Sequence, residues 1–285
     1  MKKISTLLVA GSLAAFSAPA MAQDSSSNFD GFRLQGVAGY DALKAGSNSV
    51  MVAGGMESMS NAPYLLSRAR QGYRMGHGEV VDHMFLDGLE DAYDKGKLMG
   101  CYAEDTATAY QFTRDAQDDF AIESLNRARK AIEDGTFDAE VAPVTVNTRK
   151  GKTTVERDEQ PLKANIEKIR KLKPAFAADG TVTAANSSSI SDGGAALVLM
   201  RRSEADKRAL TPLAAIRGHA THAQAPALFT TAPIGAVEKL LYKTGWSKDE
   251  VDLFEINEAF AVVTMAAMRD LDVPHDKVNV NGGGI

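Results

Sequence analysis

The residue with the clearest chemical opportunity is Asn257, which stands where the apolar run Val251–Ile256 gives way to Asn257-Glu258-Ala259-Phe260. In an α/β sheet, the end of a strand that empties into a helix is the usual place for a ligand. A carboxamide there can donate to an oxygen on which negative charge develops, or hold a water against it. An asparagine at the same junction can equally cap the next helix. The run Ser187-Ser188-Ser189 offers hydroxyls to a polar ligand, or forms a plain polar loop.

The remaining reactive residue types are sparse. Cys101 is the one cysteine, so an internal disulfide and a multi-cysteine metal site are both excluded. Its setting, Met99-Gly100-Cys101-Tyr102-Ala103-Glu104, suits a buried and inert thiol. His219 and His222 fall at an odd spacing on an expected strand, so they would point to opposite faces. No cysteine or acidic cluster completes a metal site around them, and no metal is expected. They receive no role, nor do His77, His83 and His275.

These groups need a scaffold, and the chain is long enough to supply one. Its 285 residues are 44% apolar and 24% charged, which suits one large or two small globular domains. A net charge of -5 argues against nucleic acid and against an anionic membrane surface as partners. Glycine pairs such as Gly54-Gly55 and Gly193-Gly194 suit the short turns of an α/β protein.

Element by element, Asp41–Gly46 reads as the end of a helix with Gly46 as its stop. Ser49–Ala53 reads as a short strand closed by Gly54-Gly55. A helix is predicted from Thr113, with Ala121, Leu125, Ala128 and Ile132 along one face and Gly135 at its end. Lys150-Gly151-Lys152 suggests a hairpin turn, while Ala195–Met200 and Pro212–Ile216 suggest strands. Pro233 opens a helix that carries Val237, Leu240 and Leu241 and stops at Gly245. Ser247 and Glu250 have the spacing of a capping box. Val251–Ile256 is a strand, and Val278–Val280 starts another.

The first residues differ in character. Lys2 and Lys3, the apolar run Ile4–Phe16 and Ala20-Met21-Ala22 have the parts of a secretory signal over 1–22. The run is too short to span a bilayer. Phe32, Leu34 and Gly36 then alternate with Arg33, Gln35 and Val37 at the period of a strand. Residues 1–40 therefore resemble the signal and first strand of a porin-like outer-membrane β-barrel protein, with 23–40 as the barrel-like leader. No series of alternating segments follows to build a barrel.

From about residue 41 the chain resembles thiolases. The resemblance rests on Val52-Ala53-Gly54-Gly55-Met56-Glu57-Ser58-Met59-Ser60, on Gly180-Thr181-Val182-Thr183-Ala184-Ala185-Asn186-Ser187-Ser188-Ser189 and on Asn257-Glu258-Ala259-Phe260. Lys173-Pro174-Ala175-Phe176, Asp192-Gly193-Gly194-Ala195-Ala196 and Val278-Asn279-Val280-Asn281-Gly282-Gly283 match in order between and beyond them. It implies an α/β, layered αβαβα fold, incomplete at both ends, with an inserted loop domain. Residues 41–60 and 192–205 would be the remnant of the N-terminal core, 61–191 the coenzyme A-binding loop domain, and 206–285 a truncated C-terminal core.

The activity implied is acyl transfer: condensation of acetyl-CoA, or thiolysis of a 3-ketoacyl-CoA. The coenzyme A thioester is the substrate, and no cofactor is tightly bound. By resemblance, Asn257 holds a water in the oxyanion hole, Ser188 and the backbone of Ala184 contact the pantetheine arm, and Phe176, Phe229 and Phe260 wall the channel. Each phenylalanine could equally be plain core. At the family's usual arginine position near the adenine end stands Leu162, with Lys163 beside it. A homodimer or tetramer is implied. The thiolase-like body belongs in the cytoplasm, where the leader points to the periplasm.

Thiolase chemistry needs a nucleophilic cysteine, a second cysteine and the histidine of a Gly-His-Pro motif. Counted along the family pattern, the nucleophile falls near Phe29, and neither the Gly-His-Pro motif nor the second cysteine is present. The expectation is a thiolase-like chain without covalent catalysis; the alternative is a non-catalytic chimeric or exported envelope fragment.

Overall fold

The computed structural model describes residues 6–9, 31–149 and 151–285, with side chains from Val37 onward. By their contacts these form two compact units, one from 31–99 and 190–219, the other from 6–9, 100–189 and 220–285. The expected leader Met1–Ala22 lies outside the described residues except for a strand at Thr6–Val9, and Phe29 lies outside them too. The units cut the chain after Met99, Ser189 and His219, so 61–99 groups with the strand at Val50–Ser58 and not with the rest of the expected loop domain.

In the first unit, Gly31–Ala45 is a helix, α1, where alternation over 32–37 predicts a strand. Six alternating residues are a short signal, and the helical spacing of Val37, Tyr40 and Leu43, which starts at the last of them, prevails. Leu43 is buried, and Gly39 keeps the helix close to its neighbours: a Cβ there would lie 3.6 Å from both Leu199 and Met51. Gly46 ends the helix as expected, with φ +81°.

The next strand is β1, Val50–Ser58, paired antiparallel with β2, Asp192–Met200, from Val50↔Met200 to Ser58↔Asp192. The expected strand therefore runs through Gly54-Gly55 and does not stop there. A Cβ on Gly54 would sit 2.5 Å from the carbonyl oxygen of Ala195, so this glycine serves close backbone approach, not a turn. Pro212–Ile216, also expected as a strand, forms none: the chain bends at Leu213, and Leu213 and Ile216 are exposed. Proline has no N–H for a ladder, which weakens any strand at that point.

The second unit is built on helices. Met99–Tyr110 is α2 and Arg114–Glu133 is α3, the latter capped by Thr113, whose Oγ1 accepts from Ala116 N at 3.2 Å. Gly135, at φ +66°, follows its end. Val144–Thr148 and Gly151–Val155 form the expected hairpin. Ala232–Thr244 is α4, with Pro233 in its first turn and Gly245 left-handed at its stop. Ser247 and Glu250 form the expected capping box.

Leu253–Ile256 is β3, parallel to Thr6–Val9, and Ala261–Leu271 is α5. Val237 and Leu240 of α4, Phe254 and Ile256 of β3 and Ala267 and Leu271 of α5 form one core with Val278. Val278 bridges in parallel to Phe254, a single pairing where a longer strand was expected. Burial of this apolar set fixes where β3 ends, and so where Asn257 emerges.

Candidate functional site

Along β3, Phe254 and Ile256 point into the core, and the chain leaves the strand at Asn257. The cap position of α5 is Phe260, so Asn257 does not cap that helix. Asn257 is exposed, and its side-chain amide has no hydrogen-bond partner among the described residues. It is available to a ligand.

Its neighbour Glu258 has the opposite environment, at 1% exposure. One carboxylate oxygen accepts from Asn279 Nδ2 at 2.8 Å. The other accepts from Ser124 Oγ on α3 at 2.7 Å and from Ile285 N at 3.3 Å. Burial pushes this carboxyl above the ordinary range, against the pull of those donors. Glu255 is raised as well, first by burial and then by the charge of Glu258.

The serine run is positioned by a second polar network. Glu104 of α2 accepts from Thr181 N at 2.8 Å and from Val182 N at 2.8 Å. Asn186, fully buried, accepts from Thr183 N at 2.7 Å and donates to Asp118 Oδ1 and Thr181 O, each at 3.1 Å. Asp118 is held in turn by Arg114 at 2.7 Å. These bonds fix the loop, and its far end then runs beside the Asn257 segment. Ala261 N donates to Asn186 O at 2.9 Å and Ser188 N to Ala259 O at 3.0 Å.

A third segment closes the arrangement. Ser189 N donates to Gly284 O at 3.3 Å. A Cβ built on Gly284 would lie 3.9 Å from both Asn257 Oδ1 and Ser188 Cβ, so the two side chains flank the same glycine. A cavity of about 240 Å³ opens between the end of β3, Asn257, Glu258, Asn279 and Gly283-Gly284.

Phe260 and Phe176 meet edge to face with centroids 6.0 Å apart, and Phe176 lies so close over Gly100 that a Cβ there would come within 2.3 Å of its ring. Phe229 is buried against Tyr102 of α2, edge to face at 6.2 Å. Ala184 and Ser188 are exposed. Leu162 is exposed, and Lys163 pairs with Glu159 at 3.0 Å.

The other candidates stay apart. Cys101 is half-buried on α2, its Sγ 3.9 Å from the carbonyl oxygen of Phe176. His219 lies 3.5 Å from Asp41 in the first unit, and His222 lies 3.0 Å from Gln224 in the second. Among the described residues no group of His, Cys, Asp and Glu could hold a metal. No helix among them is long and apolar enough to cross a membrane.

Two family models match the sequence, the thiolase N-terminal domain over residues 10–203 and the thiolase C-terminal domain over 210–285. The chain belongs to the thiolase family. Its N-terminal match begins at residue 10, inside the stretch with the composition of a leader. This thiolase chain is 41% identical over 248 residues to a probable acetyl-CoA acyltransferase of Staphylococcus aureus (strain COL), covering 86% of the chain and 63% of that protein. It is 45% identical over 250 residues to a probable acetyl-CoA acetyltransferase of Dictyostelium discoideum, covering 87% and 60%. It thus spans less than two thirds of the length of these relatives.

Solved structures agree on the fold. The thiolase chain superposes on the Bacillus anthracis acetyl-CoA acetyltransferase with a TM-score of 0.84 at 40% identity, over 88% of this chain and 64% of that one. An Ascaris suum thiolase in complex with coenzyme A gives 0.82 at 37% identity, over 89% and 64%. The α/β, thiolase-like fold expected from the sequence strings is the fold observed.

Reading the sequence singled out Asn257 and Ser188 but passed over Glu258, Ser124 and Asn279. A glutamate between an exposed asparagine and a small residue carries no signal of burial; its partners lie on α3 and near residue 280.

Proposed function

We propose that this chain forms the coenzyme A thioester site of a thiolase-type acyltransferase, acting on acetyl-CoA and 3-ketoacyl-CoA, with no covalent nucleophile among its 285 residues. The observation that carries this reading is the shared position of Asn257 and Ser188 on either side of Gly284, a glycine that lines one cavity together with Asn257. The relatives named for acetyl-CoA transfer, and the fold neighbour holding coenzyme A, supply the ligand class.

In this reading the free amide of Asn257 donates to the thioester oxygen, or to a water beside it, as negative charge develops there. Ser188 and the backbone of Ala184 receive the pantetheine arm, and Phe176, Phe229 and Phe260 wall the channel. Coenzyme A arrives as substrate and is not retained. The stretches 41–60 with 192–205, and 206–285, act as parts of two core domains, with 61–191 as the coenzyme A-binding part. By its likeness to thiolases the chain assembles as a homodimer or tetramer, and the cytoplasm, where coenzyme A is used, is the compartment that suits its ligand.

Covalent chemistry is the missing part. Cys101, the one thiol, sits on α2 against the backbone carbonyl of Phe176 and does not line the Asn257 cavity. Without an activated thiolate there is no acyl-enzyme intermediate. Acetoacetyl-CoA thiolysis by the purified chain, run beside Cys101→Ala, tests this. The expected result is no turnover by either protein. Turnover abolished by Cys101→Ala would make Cys101 the nucleophile and overturn the reading.

A further inference from the structure

We propose that Glu258 is the positioning residue for Asn257, its buried carboxylate tying the β3–α5 turn to α3 and to the 279–285 segment so that the Asn257 amide faces the cavity. The inference rests on the thioester-binding reading above and adds to it a residue whose carboxylate oxygens are both engaged by protein donors.

Glu258 follows Asn257 directly, so whatever fixes one fixes the backbone of the other. Its two carboxylate oxygens take donors from α3, at Ser124, and from both ends of the 279–285 segment, at Asn279 and Ile285. Each partner is itself held. Asn279 accepts from Ile256 N at 2.8 Å and donates to Ile256 O at 2.7 Å, which clamps the last residue of β3. Ser124 Oγ accepts from Gly283 N at 3.1 Å. Arg127, one turn along α3 from Ser124, donates to the carbonyls of Val278 at 2.8 Å and His275 at 3.1 Å.

The packing is as tight as the hydrogen bonding. A Cβ on Gly283 would fall 2.2 Å from the carboxyl carbon of Glu258 and 2.4 and 2.5 Å from its oxygens. The glycine segment and the carboxylate therefore occupy adjoining space with nothing between them. Every partner offers a donor, so the ionised, acceptor-only carboxylate satisfies the network as a whole. A buried group so connected has one arrangement, and that rigidity passes to Asn257.

The test is a double-mutant cycle read on thioester discrimination. Affinity for acetyl-CoA and for free coenzyme A is measured by titration calorimetry for the wild-type chain, Asn257→Ala, Glu258→Gln and the double variant, well below each melting temperature. A positioning role predicts that Glu258→Gln lowers the preference for acetyl-CoA over coenzyme A about tenfold. It also predicts that Asn257→Ala does the same and that the double variant loses no more than either.

A general loss of structure would weaken both ligands alike and leave their ratio unchanged, which overturns the proposal. So does a Glu258→Gln protein that keeps its preference while Asn257→Ala loses it. A wild-type chain that binds neither ligand overturns the thioester site itself, and this proposal with it. If Glu258→Gln melts too low to assay, Ser124→Ala, which removes one donor and leaves the carboxylate, is read in its place with the same two outcomes.

Discussion

Ser188 donates its backbone N–H to the carbonyl of Ala259 at 3.0 Å, and this bond joins two stretches of sequence that lie far apart along the chain. Through it the serine loop and the turn after β3 become neighbouring strips of one surface. The loop could not hold that line alone. Asn186, Asp118 and Arg114 anchor it from beneath, and Glu258 anchors the turn. The candidate site is thus a pair of exposed polar side chains standing on two buried polar networks, each satisfied by residues from other elements.

Gly283→Ala and Gly284→Ala should separate sharply in stability. At 283 an added Cβ meets the Glu258 carboxyl at 2.2 Å, whereas at 284 its nearest neighbour is 3.7 Å away. Overpacking of the first kind costs on the order of 1–3 kcal/mol. We expect a lower melting temperature for Gly283→Ala and almost none of that shift for Gly284→Ala. Equal melting temperatures would show that the segment next to Glu258 is loosely held.

The pH dependence of stability should carry the mark of Glu258. Its folded carboxyl is raised above the ordinary 4.5 by burial, so between 4.5 and that higher value the folded chain binds more protons than the unfolded one. The stabilisation this group gives is complete below 4.5 and is lost as pH rises through the folded value. Glu255, also raised, adds in the same direction. Urea denaturation over the acid-to-neutral range should therefore show wild type losing stability relative to Glu258→Gln as pH rises. A constant difference between the two would contradict this.

Asn186 should be among the least replaceable residues of the serine loop. Asn186→Ala leaves Thr183 N–H and the Asp118 carboxylate each short of a partner in a fully buried place. Unmet buried groups of this kind cost about 1–3 kcal/mol. Asn186→Asp should be worse at neutral pH, because it sets a second carboxylate against Asp118, and should recover in part under acid conditions. Denaturant midpoints at two pH values give the answer; an Asp variant that matches Ala at both would rule the effect out.

Much of this was legible in the sequence, for local reasons. Thr113, Gly46 and Gly245 mark helix ends through backbone chemistry that involves few neighbours, and each does so in the structure. Asn257 stands out because an apolar strand stops directly before it. Gly54-Gly55 misleads because a glycine that permits close approach looks the same as one that turns the chain; only the facing Ala195 tells them apart. The strand expected over 32–37 fails because six alternating residues yield to helical spacing in the residues that follow. Glu258 was beyond reach because its burial depends on Ser124 and Asn279, distant in sequence and brought together only by packing.

The most direct test is a crystal structure of this chain grown with acetyl-CoA. The account predicts the thioester oxygen within hydrogen-bond reach of the Asn257 amide, directly or through one water, with the pantetheine arm running along Ala184 and Ser188. Acetyl-CoA bound elsewhere on the chain, with Asn257 and Ser188 both facing solvent, would contradict it.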